Sequence, residues 1–342
     1  MSADRRSSGN AKRRLRLSIA LADSALTRPL IDGLVSPEGI ELIPSVLHGS
    51  EIFWRQLRFG DFDVSEMSLS SLLIATARGD SRWAAIPVFT MRRFFHTGIL
   101  VRSDAGIDSP ADLAGRRVGV PEYQQTSAIW SRGILQDQFG VAPESIDWYM
   151  ERGLDRSHGQ ATGFVPPPGV RLHQIAANSD IGQMLLEGGL DASLLYLNEK
   201  NLVDRSTVNV EQSGKVRRLF ADPLAEGRRY HRATGLYPIN HVLVVRRSLL
   251  EKHGWIALNL YSAFVAAKEA VRGAAESVIA ACRETGQLSD DCAGALKADP
   301  MPYGLRPARQ ELETVARYVH QQGLTDRQVP LDEIFAKPTL DL

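Results

Sequence analysis

The first hundred residues switch repeatedly between two hydrophobic periods, and that switching constrains the fold more than any other feature. Segments that alternate every second residue read as strands: "RLRLSIAL", "GIELIPSVL", "DVSEMS" and "WAAIPVFT". Helical patterns lie between them. "TRPLIDGLVS" reads as a short helix or turn. "GSEIFWRQLRFGDF" reads as a helix with Ile52, Phe53, Gln56 and Leu57 on one side and Gly60 past its end, and "SLSSLLIATARGD" is another helix. "FFHTGILVR" reads as a fifth strand. Strands that alternate with helices predict an α/β fold with mostly parallel pairing.

The pattern then restarts. "SPADLAG" is a small helix with Ser109 as cap and Pro110 at its first position. In "VGVPEYQQTSAIW" a strand ends at Pro121, which has no N–H to give, and a helix follows that Thr126 or Ser127 would cap. "SIDWYM", "VRLHQI" and "LDASLLYL" are strands, "DIGQMLLEGG" is a helix, and "ERGLDRSHGQATGFVPPPG" is a long loop rich in Gly and Pro. An apolar strand returns in "TGLYPINHVLVVRRSLL". After it the chain is nearly all helix, with amphipathic stretches in "WIALNLYSAFVAAKEAVRGA" and "ARQELETVARYVHQQG". A chain of 342 residues suits two domains of ordinary size.

Several function classes find no support. Forty Lys and Arg balance forty Asp and Glu, so no overall charge pulls the chain to nucleic acid or membrane. The exception is the basic, polar start "MSADRRSSGNAKRRLR", read as a disordered tail over residues 1–14. No apolar run approaches the ~20 residues of a membrane span. The run "LSIALA" is short, and cleavage after it would remove the first core strand, so the expected location is the cytoplasm. Cys282 and Cys292 fit neither a redox pair nor a zinc knuckle, and the eight histidines show no metal-ligand spacing. No phosphate-binding, dinucleotide or nucleophile-elbow motif is present. No metal or cofactor is therefore expected.

What remains is a set of polar residues where strands end and helices begin, which is where open α/β sheets bind ligands. "EMSLSS" places Glu66, Ser68, Ser70 and Ser71 at one such junction. Tyr123, Gln124, Gln125, Thr126 and Ser127 form another, at a helix start whose free N–H groups and dipole favour an anion. "RRFFHT" places Arg92, Arg93 and His96 beside two aromatics, His241 lies just inside an apolar strand, and Tyr303 precedes the last long helix. Each also has a bland reading: capping serines, surface arginines, core histidines and turn packing.

Taken together, "FDVSEMSLSSLL", "RRFFHTGILVR", "GRRVGVPEYQQTSAIWSRGIL", "YPINHVLVV" and "PYGL…LETVARYVHQQGL" resemble the 4,5-dihydroxyphthalate decarboxylase-like branch of the type II periplasmic-binding-protein superfamily. The resemblance runs from about Leu15 to Ala336. It implies two α/β lobes with a ligand cleft between them: lobe I at residues 15–100 and 236–342, lobe II at 101–235, and a helical C-terminal extension packed on lobe I. The branch pattern reads roughly R-x-F-R-H-S where this chain has "RRFFHT", so Arg92 and His96 match and Phe95 replaces an arginine. That departure implies a different acid from the one that names the branch.

The implied activity is non-oxidative decarboxylation of a hydroxylated aromatic carboxylic acid, which needs no organic cofactor because the ring stores the charge. Helix amides near Thr126 and Ser127, with Arg92, would hold a carboxylate. His96 or His241 would supply the proton, and Glu66 would accept one from a ring hydroxyl. His158, with Ser157 and Thr162 of the long loop, would add substrate contacts. The partner is then a small aromatic or organic acid, and self-association into a homo-oligomer is left open. The alternative is a solute-binding protein of the ABC-transporter receptor type that uses the same cleft without catalysis.

Overall fold

The computed structural model describes residues 14–296 and 298–342. The expected basic tail, apart from residue 14, lies outside the described residues. The chain begins β1 (Leu15–Leu21), α1 (Arg28–Ile31), β2 (Ile40–Val46), α2 (Gly49–Phe59), β3 (Val64–Ser68), α3 (Leu69–Ala77) and β4 (Trp83–Arg92). A 3-10 turn, Phe95–Gly98, leads to β5 (Leu100–Arg102), β6 (Arg117–Val120), α4 (Thr126–Phe139), β7 (Asp147–Met150), α5 (His158–Thr162), β8 (Arg171–Gln174), α6 (Ile181–Glu187), β9 (Ala192–Ser193) and β10 (Val216–Arg218). After α7 (Pro223–Thr234) come β11 (Ile239–Arg246), α8 (Arg247–Lys252), α9 (Ile256–Glu284), α10 (Asp290–Leu296), α11 (Leu305–Gln321) and α12 (Leu331–Ile334). No helix among the described residues is long and apolar enough to cross a membrane.

These elements build two sheets, and with them a two-lobe periplasmic-binding-protein-like fold. The first sheet runs β2-β1-β3-β11-β4 and the second β10-β5-β9-β6-β7-β8. In the first, β1 pairs in parallel with β2 and β3, while β11 runs antiparallel between β3 and β4. The apolar alternation explains the layering: Ile19, Val64, Met67, Ile86, Val88, Leu243 and Val245 are all buried. Pro44 is tolerated because β2 is an edge strand. Glu66 and Ser68 sit at the end of β3 and Ser68 caps α3, so one strand delivers both to the same rim.

Four sequence expectations change. Pairing is mixed rather than mostly parallel, because β11 returns against the direction of its neighbours and β5 runs antiparallel to β9 and β10. "FFHTGILVR" is a 3-10 turn before a three-residue strand, since the chain passes from one sheet to the other there. The Gly- and Pro-rich loop holds α5, whose cap Ser157 accepts from Gln160 N–H. Gln125, not Thr126 or Ser127, occupies the cap position of α4, without a side-chain cap bond.

The helical extension also reaches further than expected. α9 packs on α1 and β4, whereas α11 packs on both α3 and α4. α4 is buried along its length from Thr126 to Leu135. Trp130 Nε1 donates to Ile239 O of β11 at 2.8 Å, and Tyr318 Oη of α11 donates to Asp137 Oδ2 at 2.8 Å. Gly133 permits this approach, because a Cβ there would stand 2.4 Å from the Tyr318 ring. Helix α4 follows the second sheet's β6 in sequence, yet it is fastened to the first sheet and to the extension.

Candidate active site

A cleft of about 790 Å3 opens between the two sheets. Its floor is made where α2, α3 and α4 begin and where β11 starts. His48, Gly49, Ser50, Ser68, Gln125, Thr126, Ser127 and His241 all line it. Three helix N-termini thus meet around one imidazole, and each contributes partial positive charge.

His241 is held from behind. Its Nδ1 lies 2.7 Å from Glu66 Oε2. Glu66 also accepts from Thr90 Oγ1 at 2.8 Å and from Ala22 N–H at 2.9 Å. The Thr90 hydroxyl, the Ala22 amide and the His241 ring thus converge on one buried carboxyl, which serves as acceptor. The carboxylate takes Nδ1–H, so the proton-active position left is Nε2. Nε2 makes no hydrogen bond among the described residues, and the ring lines the cleft. Phe53 meets that ring edge-on at 4.7 Å between centroids. On the α2 side, a Cβ on Gly49 would stand 3.1 Å from His241 Cε1, so only glycine fits there without displacing the imidazole.

The helix starts interlock beside it. Thr126 Oγ1 lies 2.8 Å from Ser68 Oγ and accepts from Ser70 N–H at 2.9 Å. Ser70 Oγ donates to Gln124 O at 2.7 Å. Thr126 is therefore spent on latching α3 to α4, while Ser127 keeps its hydroxyl toward the cleft. Gln125 lies on the wall, and its buried Nε2 is unpartnered among the described residues.

A second buried cluster closes one side. Arg152 donates from Nε to Asp204 Oδ1 at 2.7 Å and from Nη2 to Ser50 Oγ at 2.6 Å. His158 Nε2 stands 3.3 Å from Arg152 Nη1 and 3.3 Å from Ser50 O. Burial, with the adjacent guanidinium, pulls the His158 pKa down to about 3, so the ring stays neutral. Glu122 accepts from Ser157 Oγ and His158 N–H beneath it, and burial raises its pKa.

The structure thus gathers His241, Ser68, Gln125, Thr126, Ser127 and His158 at the cleft, with Ser70 directly behind Thr126. Six expected roles change. Glu66 lies behind His241 and orients it, so it is not placed to take a proton from a ring hydroxyl. Arg92 turns away and donates to Glu311 Oε1 at 2.9 Å and to Pro302 O at 3.0 Å. Arg93, one residue on along an extended chain, lines the cleft in its place, exposed and without an ion pair among the described residues. His96 is fully buried against Glu226 Oε1 at 3.1 Å. Burial would raise the Glu226 pKa, but bonds from Arg229 and His96 hold it at about 2. Tyr123 and Gln124 point into the second lobe, Tyr123 under Arg132 and Gln124 Oε1 accepting from Thr162 Oγ1 at 2.9 Å. Tyr303 is buried outside the cleft with Lys268 Nζ 3.8 Å from its ring centroid, and burial raises its pKa.

Arg93, named in the sequence only beside Arg92, and His48, Gly49, Ser50, Phe53 and Arg152, not singled out there as site residues, complete the site. One signal was legible: His48 before "GSEI" is a helix cap, and its Nδ1 accepts from Ser50 N–H. Among the described residues no group of three or more His, Cys, Asp or Glu could hold a metal ion.

A 4,5-dihydroxyphthalate decarboxylase of Comamonas testosteroni is 32% identical over 331 residues, which is 96% of this chain and 98% of that protein. This chain belongs to the 4,5-dihydroxyphthalate decarboxylase family. A second member, from Pseudomonas putida, is 40% identical over 181 residues, covering 52% of this chain and 69% of its own. A family model for the periplasmic substrate-binding protein of phosphonate ABC transporters matches residues 24–162. Among solved structures, the periplasmic aliphatic sulphonate binding protein SsuA of Escherichia coli superposes with a TM-score of 0.54 at 16% identity, over 95% of this chain and 99% of that one. That likeness shows that this chain has the fold of periplasmic binding proteins.

Proposed function

We propose that this chain is a non-oxidative carboxy-lyase acting on a hydroxylated aromatic carboxylic acid. The observation that carries the reading is His241, fixed by Glu66 at Nδ1 and presenting Nε2 where three helix N-termini converge. Membership of the decarboxylase family supports it. The protonated imidazole delivers H⁺ from Nε2 to the ring carbon that bears the departing carboxylate. A ring hydroxyl, having released its proton to solvent, supplies as phenolate the electron pair for that new C–H bond. The C–C bond to the carboxylate then breaks, its electrons restore the aromatic ring, and CO2 leaves. Solvent returns a proton to Nε2. The starts of α3 and α4, with Ser127 and Gln125, hold an acidic group of the substrate, and Arg93 supplies a free positive charge on the cleft wall.

Phe95 lines the cleft where the branch pattern has arginine, so the acid accepted differs from 4,5-dihydroxyphthalate on that side. We also place the protein in the cytoplasm. β1 pairs with β2 and β3, and loss of residues up to Ala22 would take away that strand. N-terminal sequencing from the native host checks this, and a start after Ala22 would contradict it.

The test is turnover of a panel of hydroxyphthalates and hydroxybenzoates in D2O. Deuterium should appear at the vacated ring position, and His241→Asn should cut turnover by ~10²–10⁴-fold with little change in affinity. Tight binding of such acids with no CO2 release would instead make the chain a solute-binding protein.

A further inference from the structure

The cleft is lined by more charge than the chemistry at its floor uses, and most of that charge is paired. Arg152 is held by Asp204, Arg218 donates from Nε to Glu211 Oε1 at 2.6 Å, and Asp23 accepts from Arg28 Nε at 2.6 Å. Arg93 and Lys200 also line the cleft and are exposed, and neither makes an ion pair among the described residues. They belong to opposite walls. Arg93 follows β4 of the first sheet, and Lys200 lies on the irregular stretch that follows β9 of the second. Like charges brought together across a cleft repel, and an anion placed between them turns that repulsion into attraction.

The stretch that carries Lys200, residues 195–209, is a strap with fixed ends. At one end Leu194 N–H donates to Gly119 O at 2.9 Å. At the other, Arg205 N–H donates to Glu151 Oε1 at 2.8 Å and Asp204 is held by Arg152. Tyr196 Oη donates to Val208 O at 2.7 Å and ties the two arms together. Between them Asn198, Glu199 and Lys200 are exposed. Among the described residues, one polar contact joins residues 195–203 to the first-sheet side of the cleft: His48 Nε2 lies 3.7 Å from Glu199 Oε2. His48 Nδ1 accepts from Ser50 N–H, so the proton of the neutral ring sits on Nε2 and faces Glu199. The contact is long and the Glu199 side chain is 81% exposed, so the link is weak and releases without disturbing either fixed end.

We propose that residues 195–209 shut as a strap over an acid in the cleft, with Lys200 gripping its anionic group and the His48–Glu199 contact serving as the latch. Closure brings Lys200 toward Arg93, and the bound acid offsets the repulsion between them. The strap therefore responds to the charge of the occupant and not to its shape alone. The proposal rests on the reading that the cleft takes a small acid, and it is independent of catalysis.

The experiment uses the full chain with benzoate and phthalate as probes. Both carry carboxylates but no ring hydroxyl, so neither reacts by the route above. Uncharged benzamide is the control. Calorimetry gives affinity, and limited trypsin digestion read by mass spectrometry gives the rate of cutting after Lys200. A saturating acid should slow that cut several-fold, benzamide should leave it unchanged, and Glu199→Gln should speed it. Lys200→Gln should weaken acid binding by about tenfold with the unfolding temperature unchanged, and Lys200→Arg should restore it. If an acid binds while the cut after Lys200 keeps its unliganded rate, or if Lys200→Gln binds as tightly as wild type, the strap is overturned and the acid site stands. If neither acid binds, both readings fall.

Discussion

Glu66→Gln isolates the group on which the mechanism depends, because it changes charge and hydrogen-bond sense without changing size. The carboxylate accepts three bonds, from His241, Thr90 and Ala22. An amide has one acceptor oxygen and one donor nitrogen. If its nitrogen faces Ala22 N–H, two donors oppose each other and one charge-assisted bond is lost. If it faces His241, the ring must give up Nδ1–H and change tautomer. Either way about 1.5–3 kcal/mol of buried hydrogen bonding disappears. At about 2.1 cal/mol/K of unfolding entropy per residue, a chain of 342 residues loses about 1.4 °C in Tm per kcal/mol. The rate should suffer more. Without a carboxylate behind it, Nε2 is no longer backed as a proton donor, and general acid catalysis contributes ~10²–10⁴-fold. The expected kcat is therefore at least about a hundredfold lower, with KM nearly unchanged. CO2 release and deuterium incorporation measure the first, and a thermal melt the second. A Glu66→Gln variant that melts lower but turns over within about tenfold of wild type, under that range, would refute the role given to the pair.

Gly49→Ala should cost about 1–3 kcal/mol and lower kcat, since its Cβ stands 3.1 Å from a ring that Glu66 does not let move; urea unfolding and turnover check it. Thr126→Ala should reduce stability by about 1–3 kcal/mol through the lost latch to Ser68 and Ser70, whereas Ser127→Ala should leave the melt unchanged and weaken acid binding by calorimetry. His96→Asn should lower Tm yet keep turnover within tenfold of wild type, because its partner is Glu226 and not a substrate; a larger rate loss would restore it as a candidate acid. His158 titrates near 6.5 when unfolded and at about 3 when folded, so the unfolded chain binds the extra proton between those values. Stability should fall as pH drops from about 6.5 toward 3, by up to roughly 1.4 kcal/mol per unit, and His158→Gln should flatten that slope in urea titrations.

The fold was largely legible because its signals are local. β1, β2, β3 and β4 announce themselves by alternation and β11 by its apolar run, and Gly60 ends α2 in the left-handed conformation as the sequence suggests. The site was legible only in part. Strand-end and helix-start polar residues pointed to Ser68, Thr126 and Ser127, and these line the cleft, since position alone brings them to the rim. Which way a side chain turns depends on partners far along the chain. Arg92 is claimed by Glu311, 219 residues away, and His96 by Glu226, 130 residues away. No local pattern reveals such pairings, so the sequence does not tell which of Arg92 and Arg93 faces the cleft. Ser50 and Arg152, 102 residues apart, meet for the same reason.

The anchoring of α4 determines how molecules enter and leave. Solute receptors of this architecture capture ligand by wide hinge closure of whole lobes. Here, parting the lobes at the floor would strip Trp130 from Ile239 and Tyr318 and expose roughly 200 Å2 of indole, at a cost of about 5 kcal/mol before any hydrogen bond is counted. Tyr196, Asn198, Lys200 and Asn209 also line the cleft, on irregular and more exposed chain whose displacement would leave that floor intact. The catalytic floor stays assembled while reactant and CO2 exchange at the rim, and a receptor's gripping motion is reduced to a side door.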